Sequence, residues 1–77
     1  MIQFMLQEGS DYIELIKLLK AENLASSGAE AKLMVEDGLV SVNDKPEFRK
    51  RAKLYPGDTV EIGQERIQII KFETPDK

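Results

Sequence analysis

The stretch LASSGAEAKLMVEDGLVSVNDKPEFRKRAKLYPGDTVEI, from Leu24 to Ile62, switches once from a helical to an alternating pattern, and that switch decides the fold. Ser27 and Glu30 make Ser-x-x-Glu. In this start signal the Ser27 hydroxyl accepts from the Glu30 amide while the Glu30 carboxylate reaches back to the amide of Ser27. Ala31, Met34 and Val35 then fall on one apolar helix face, and Gly38 stops the helix after Asp37. Ala29 and Ala31 are small enough to let a second helix approach closely. Beyond Gly38 the period becomes two. Leu39, Val40 and Val42 read as a strand, and Asn43-Asp44 is a tight turn of residues that tolerate positive φ. Pro46 lacks a donor and marks an edge or irregular segment. Pro56-Gly57 fits the centre of a type II turn, with a strand from Thr59 to Ile62 behind it.

Working outward, Ile2, Phe4 and Leu6 alternate with Gln3, Met5 and Gln7 as in a half-buried strand, which Gly9 ends. From Asp11 the spacing of Tyr12, Leu15, Ile16 and Leu19 predicts a first helix, capped by Ser10 or Asp11 and closing near Asn23. A short loop around Ala25 and Ser26 joins the two helices. After a turn at Gly63 to Glu65, a last strand runs from Arg66 to Phe72 with Ile67 and Ile69 on one side. The tail from Thr74 to Lys77 is polar and is expected to fray. The pattern is that of an α+β domain, with two N-terminal helices packed on a small, mostly antiparallel, curved sheet.

Composition narrows the chemistry. Seventy-seven residues make one domain, 1–77, with a single core. Cysteine and histidine are both absent, so there is no thiolate, no disulfide and no imidazole base or ligand. Glu36 and Asp37 could hint at a metal pair, but they lie at a helix end without clustered ligands, and no cofactor is expected. No signal peptide or membrane span is legible, which leads to the expectation of a soluble cytoplasmic protein.

Charge is distributed unevenly. Between Lys45 and Lys53, five basic residues, Lys45, Arg49, Lys50, Arg51 and Lys53, face the one acid Glu47. The rest of the chain carries six basic and thirteen acidic residues. A positive patch on a negative domain suits a polyanion and restricts where it can lie.

Taken together, Ser27, Ala31-Lys32, Met34-Val35, Gly38, Val40-Ser41-Val42-Asn43 and Gly57-Asp58 resemble a known pattern, the RNA-binding domain named after ribosomal small-subunit protein S-four and built on the alpha-L motif. The motif core spans residues 24–62, and the size and the basic run resemble the small stand-alone bacterial members. The resemblance implies binding of structured RNA, such as ribosomal RNA, through the second helix, the loop after it and the segment past the hairpin turn, while the net negative charge and small size favour a monomer. Carried over by position, the contacts are Ser27, Lys32, Lys45, Arg49, Lys50, Arg51 and Lys53, with Lys20 as a flanking candidate. Many members have a basic residue where this chain has Gly28, and Asn-Gly where it has Asn43-Asp44. Both departures move the expected weight of binding onto residues 49–53.

In an extended segment Arg49, Arg51 and Lys53 would line one side and Lys50 the other, a geometry suited to a phosphate track. Five phosphate contacts on a single strand would give log K a slope of about −3.5 against log salt. Phe48 and Tyr55 flank the run but are expected to pack in the core or at an edge, which leaves no stacking platform and favours recognition of shape and backbone. The competing class is a protein-interaction module in ribosome assembly or another cytoplasmic complex, without direct RNA contact. Enzymes with this domain carry it as an appendage, and here no nucleophile–base pair or phosphate-cradling loop accompanies it, so neither catalysis nor a small-molecule substrate is expected.

Overall fold

In the computed structural model, which describes residues 1–73, strands occupy both ends of that range and the helices lie between them. The order is β1 (Ile2–Met5), β2 (Ile13–Glu14), α1 (Leu15–Ala21), α2 (Gly28–Glu36), β3 (Val40–Val42), β4 (Lys45–Pro46), β5 (Lys53–Leu54), β6 (Thr59–Ile62) and β7 (Glu65–Ile70). The helices are therefore mid-chain, not N-terminal as expected. The main sheet has the order β1-β7-β6-β3-β4 and is mixed, because β1 runs parallel to β7 while the other pairs are antiparallel. A parallel pair needs a long crossover, and here nearly the whole chain separates its two strands. β2 and β5 form a separate antiparallel pair, with Ile13 opposite Leu54 and Glu14 opposite Lys53.

The first helix begins later than its apolar spacing indicates. Ile13 and Glu14 are drawn into β2, so the helix opens at Leu15 and buries Leu15, Leu18 and Leu19, while Tyr12 stays outside it and exposed. Asp11 does not cap it. Both helices end alike. Asn23 at φ 59° and Gly38 at φ 79° sit just past them, and in each the next amide bonds back to the helix, Leu24 to the Leu19 carbonyl and Leu39 to the Met34 carbonyl. The second helix starts at Ser27 as expected, its hydroxyl accepting from the Glu30 amide at 3.1 Å. The Glu30 carboxylate, however, accepts from the amide and hydroxyl of Ser26, at 2.6 and 2.7 Å, not from Ser27. Those two bonds hold its carboxyl pKa below the ordinary glutamate range.

The core joins Ala31 and Val35 of α2 to the α1 leucines and to Val40, Val60, Ile67 and Ile69 of the sheet, with Leu54 closing it from β5. Met34 is half-buried against this core, and Ala29, expected at the helix contact, is exposed. Among the described residues no polar or charged residue is buried. β3 begins at Val40 and not Leu39, and β7 spans Glu65–Ile70 in place of the expected Arg66 to Phe72. Asn43 and Asp44 have φ of 52° and 70°, the left-handed pair of a tight hairpin turn, and Pro46 lies on the edge strand β4. The expected fraying of Thr74 to Lys77 lies outside the described residues.

Candidate nucleic-acid interface

The basic segment is held at both ends by backbone bonds. At its start the Glu47 amide donates to the Val40 carbonyl at 2.9 Å. At its end, residues 50–54 run against the start of α1, where the amides of Leu15 and Ile16 donate to the carbonyls of Ala52 at 2.9 Å and Lys50 at 3.2 Å. A helix start leaves amides without intrahelical partners, and α1, whose Glu14 makes no side-chain cap, satisfies two of them with this segment. The segment is thereby pinned.

Its path is a turn and not the extended strand expected, since the Ala52 amide bonds to the Arg49 carbonyl at 3.1 Å. Alternation fails here. Even so, Arg49, Arg51 and Lys53 come together with Ala52 and Tyr55 around one open depression, which Lys50 does not line. Lys50 is half-buried.

The acid in the segment is not a bystander. Glu47 accepts from the Arg49 amide and Nε, both at 3.0 Å, and from Nη2 at 3.3 Å. The Arg49 hydrogen bonds hold the Glu47 carboxyl below its ordinary range, and the same contact raises the Arg49 guanidinium. Part of the Arg49 fork is therefore occupied, and Arg51 and Lys53 are the freer cations of the cluster.

The remaining expected contacts do not join that cluster. Lys20 and Lys32 are exposed on α1 and α2, and the Lys20 ammonium lies 4.0 Å from where a Cβ on Gly28 would stand. Lys32 is one turn beyond Gly28 on the same helix face. The helix start that lacks its own basic residue thus borrows one from α1. The Ser27 hydroxyl is engaged as a cap, and Lys45 stands exposed on the edge strand β4.

Two motif residues prove to be a clamp. Asp58 accepts from Asn43 Nδ2 at 3.0 Å through one oxygen and from the Tyr55 amide at 2.8 Å through the other. Asn43 Oδ1 in turn accepts from the Thr59 amide at 2.9 Å. The hairpin turn after β3 and the Pro56-Gly57 turn are locked together, and the end of the basic segment with them. Gly57 has φ of 99°, the left-handed value that its turn requires.

Aromatic placement is the main departure. Phe48 and Tyr55, expected to pack away, are 60% and 46% exposed. Tyr55 pairs with Tyr12 at 5.7 Å between ring centroids, and the Lys53 ammonium lies 5.0 Å from the Tyr12 centroid. Tyr12 was not visible as a site residue because its spacing reads as a helix face. A wider groove on the far side of Tyr12 is lined by Asp11, Glu14 and a single cation, Lys17, a poor match for a polyanion. Among the described residues there is no cluster of three metal-ligating side chains and no helix long and apolar enough to cross a membrane.

Known proteins resemble the chain in fold and in sequence. The chain is 37% identical to the Escherichia coli protein YbcJ, whose solution structure is described as revealing an alfaL motif involved in RNA binding, with a TM-score of 0.67 over 91% of this chain and 87% of that one. By sequence it is 39% identical over 59 residues, 77% of this chain and 84% of the relative, to the protein named "Putative RNA-binding protein YbcJ" of Escherichia coli (strain K12). It is 42% identical over 53 residues, 69% of this chain and 75% of the relative, to the "Probable ribosome maturation protein RlbA" of Bacillus subtilis (strain 168). Residues 4–70 match the model of the S4 domain, and the chain belongs to the S4 domain family.

Proposed function

We propose that this chain is a non-catalytic RNA-binding protein that holds structured RNA through Arg49, Arg51 and Lys53, with Lys20, Lys32, Lys45 and Lys50 as outlying contacts. The observation that carries this reading is the convergence of three cations on one depression, on a segment pinned at both ends, in a chain that is otherwise acidic. The RNA-binding descriptions of its Escherichia coli relative support it. The ribosome-maturation name of the Bacillus subtilis relative favours ribosomal RNA as the target, and with it a cytoplasmic site of action. Residues 1–77 act as one RNA-binding domain with its motif core at 24–62, working as a monomer without a small-molecule substrate.

The test is RNA binding across a salt series by the wild type and by the R49A/R51A/K53A variant, paired with crosslinking to RNA in cells. Three phosphate contacts on a single strand give a slope of about −2 in log K against log salt, shallower than five would give. The variant is expected to lose most of this affinity and to keep its unfolding midpoint, since all three side chains are exposed. Wild-type binding that salt does not weaken and the variant does not lose would sink the reading. A second reading, docking to a protein partner, draws on the exposed Leu33, Leu39 and Phe48 and would then take its place.

A further inference from the structure

The chain has two tyrosines and no tryptophan, and the fold pairs the two rings at the basic depression, which Tyr55 lines and Tyr12 does not. Antiparallel pairing of Ile13 with Leu54 sets Tyr12, one residue before, across from Tyr55, one residue after. Neither ring is in the core. A cross-strand aromatic pair stabilises a sheet by packing, but that role does not require the rings to stay 39% and 46% exposed. The two rings also differ in what they touch. Tyr12 is engaged by Tyr55 and by the Lys53 ammonium, whereas Tyr55 lines the depression beside Arg49, Arg51 and Lys53. Tyr55 is held in place as well, since its amide donates to Asp58 Oδ2 at 2.8 Å and its carbonyl accepts from the Asp58 amide at 2.9 Å.

A rigid, half-exposed ring among phosphate-binding cations has the parts of a base-stacking site. Building on the RNA-binding reading above, we propose that Tyr55 stacks on an unpaired base whose neighbouring phosphates lie on Arg49, Arg51 and Lys53, with Tyr12 as the residue that positions its ring. The substrate class is then RNA that presents unstacked nucleotides, a single strand, bulge or loop, in preference to a fully paired helix. In a duplex both faces of each base are already covered by neighbours, and only backbone remains for the protein to hold.

Tyrosine emission reports on these two rings alone, because the chain has no tryptophan. Wild type, Y55L, Y55F and Y12F are titrated at fixed salt with a single-stranded oligoadenylate and with a blunt, fully paired RNA of equal length. The single strand is expected to quench the emission of the wild type and of Y12F, which retains only Tyr55. Y55L should bind the single strand about tenfold more weakly while binding the duplex as before, and Y55F should bind like the wild type. If Y55L binds both probes as the wild type does, or loses both equally, the platform is refuted. The R49A/R51A/K53A variant separates the two readings. Its loss of binding alongside an unaffected Y55L would leave RNA binding standing without a stacking site, and failure of the wild type to bind either probe at low salt would overturn both.

Discussion

The two helices of this domain begin in opposite ways. α2 is opened by its own neighbours, with Ser27 capping Glu30 and Glu30 holding Ser26, all within five residues. α1 has no side-chain cap, and its first amides bond instead to carbonyls of Lys50 and Ala52, some thirty-five residues further along. One start is local, the other borrowed. The borrowed start ties the basic segment to the core, since the residues that satisfy the helix also fix the position of Arg51 and Lys53. The uncapped helix and the candidate binding face are a single structural unit.

That unit can be broken where it meets the core. Leu54 is fully buried in β5, directly after Lys53 and opposite Ile13. Leu54→Ala is expected to cost about 2–5 kcal/mol, read from denaturant unfolding. Hydrogen exchange of the Leu15 and Ile16 amides should accelerate in the same variant, by more than that of the Glu30 amide, which depends on the local cap. Equal loss of protection at both helix starts would mean that the two are not independent.

The clamp between the turns comes next. Asp58→Ala removes the acceptor of both Asn43 and Tyr55, leaves two donors without protein partners, and should cost about 1–3 kcal/mol. RNA affinity should fall with it, because the clamp and not the RNA positions Tyr55. Ser27→Ala is expected to cost only ~1 kcal/mol and to leave RNA binding nearly unchanged, its hydroxyl being spent on the helix. A large loss of RNA binding in Ser27→Ala with intact stability would show that the hydroxyl meets RNA after all.

This division also explains what could be read from the residues in advance. Most of what lies within reach of a few residues was legible: the start of α2 at Ser27, its end at Gly38, the left-handed turn at Asn43-Asp44, and β6 at Thr59–Ile62, though the Glu30 carboxylate takes Ser26 in place of Ser27. The larger misreadings share one cause, a distant partner overriding a local pattern. Tyr12 and Leu15 have helical spacing, but pairing with Leu54 and Lys53 takes Ile13 and Glu14 into a strand, and the helix that follows buries Leu18 with Leu15 and Leu19. Arg49 to Lys53 have the composition of a solvated run, yet the start of α1 folds it into a turn. The parallel partner of β1 has no local signature, because alternation marks a strand without naming its neighbour. The candidate site was legible as a charge cluster. The tyrosine pair beside it was not, because only the fold places Tyr12 beside Tyr55.

The smallest effect concerns the one acid inside the basic segment. Because the contact with Arg49 holds the Glu47 carboxyl below its ordinary range, its contribution to stability is present at neutral pH and is lost as pH falls from about 4.3 through the lowered folded value. Glu30 acts in the same direction, so stability should stay flat from neutral pH to about 5 and decline only below that. In RNA binding the sign reverses. At neutral pH Glu47→Gln removes a charge that competes for the Arg49 fork, and it should tighten RNA a few-fold while the salt slope stays near the three-contact value of about −2 on a single strand. Unchanged affinity would place Arg49 outside the phosphate track, its guanidinium serving to fold residues 47–49 and the track resting on Arg51 and Lys53.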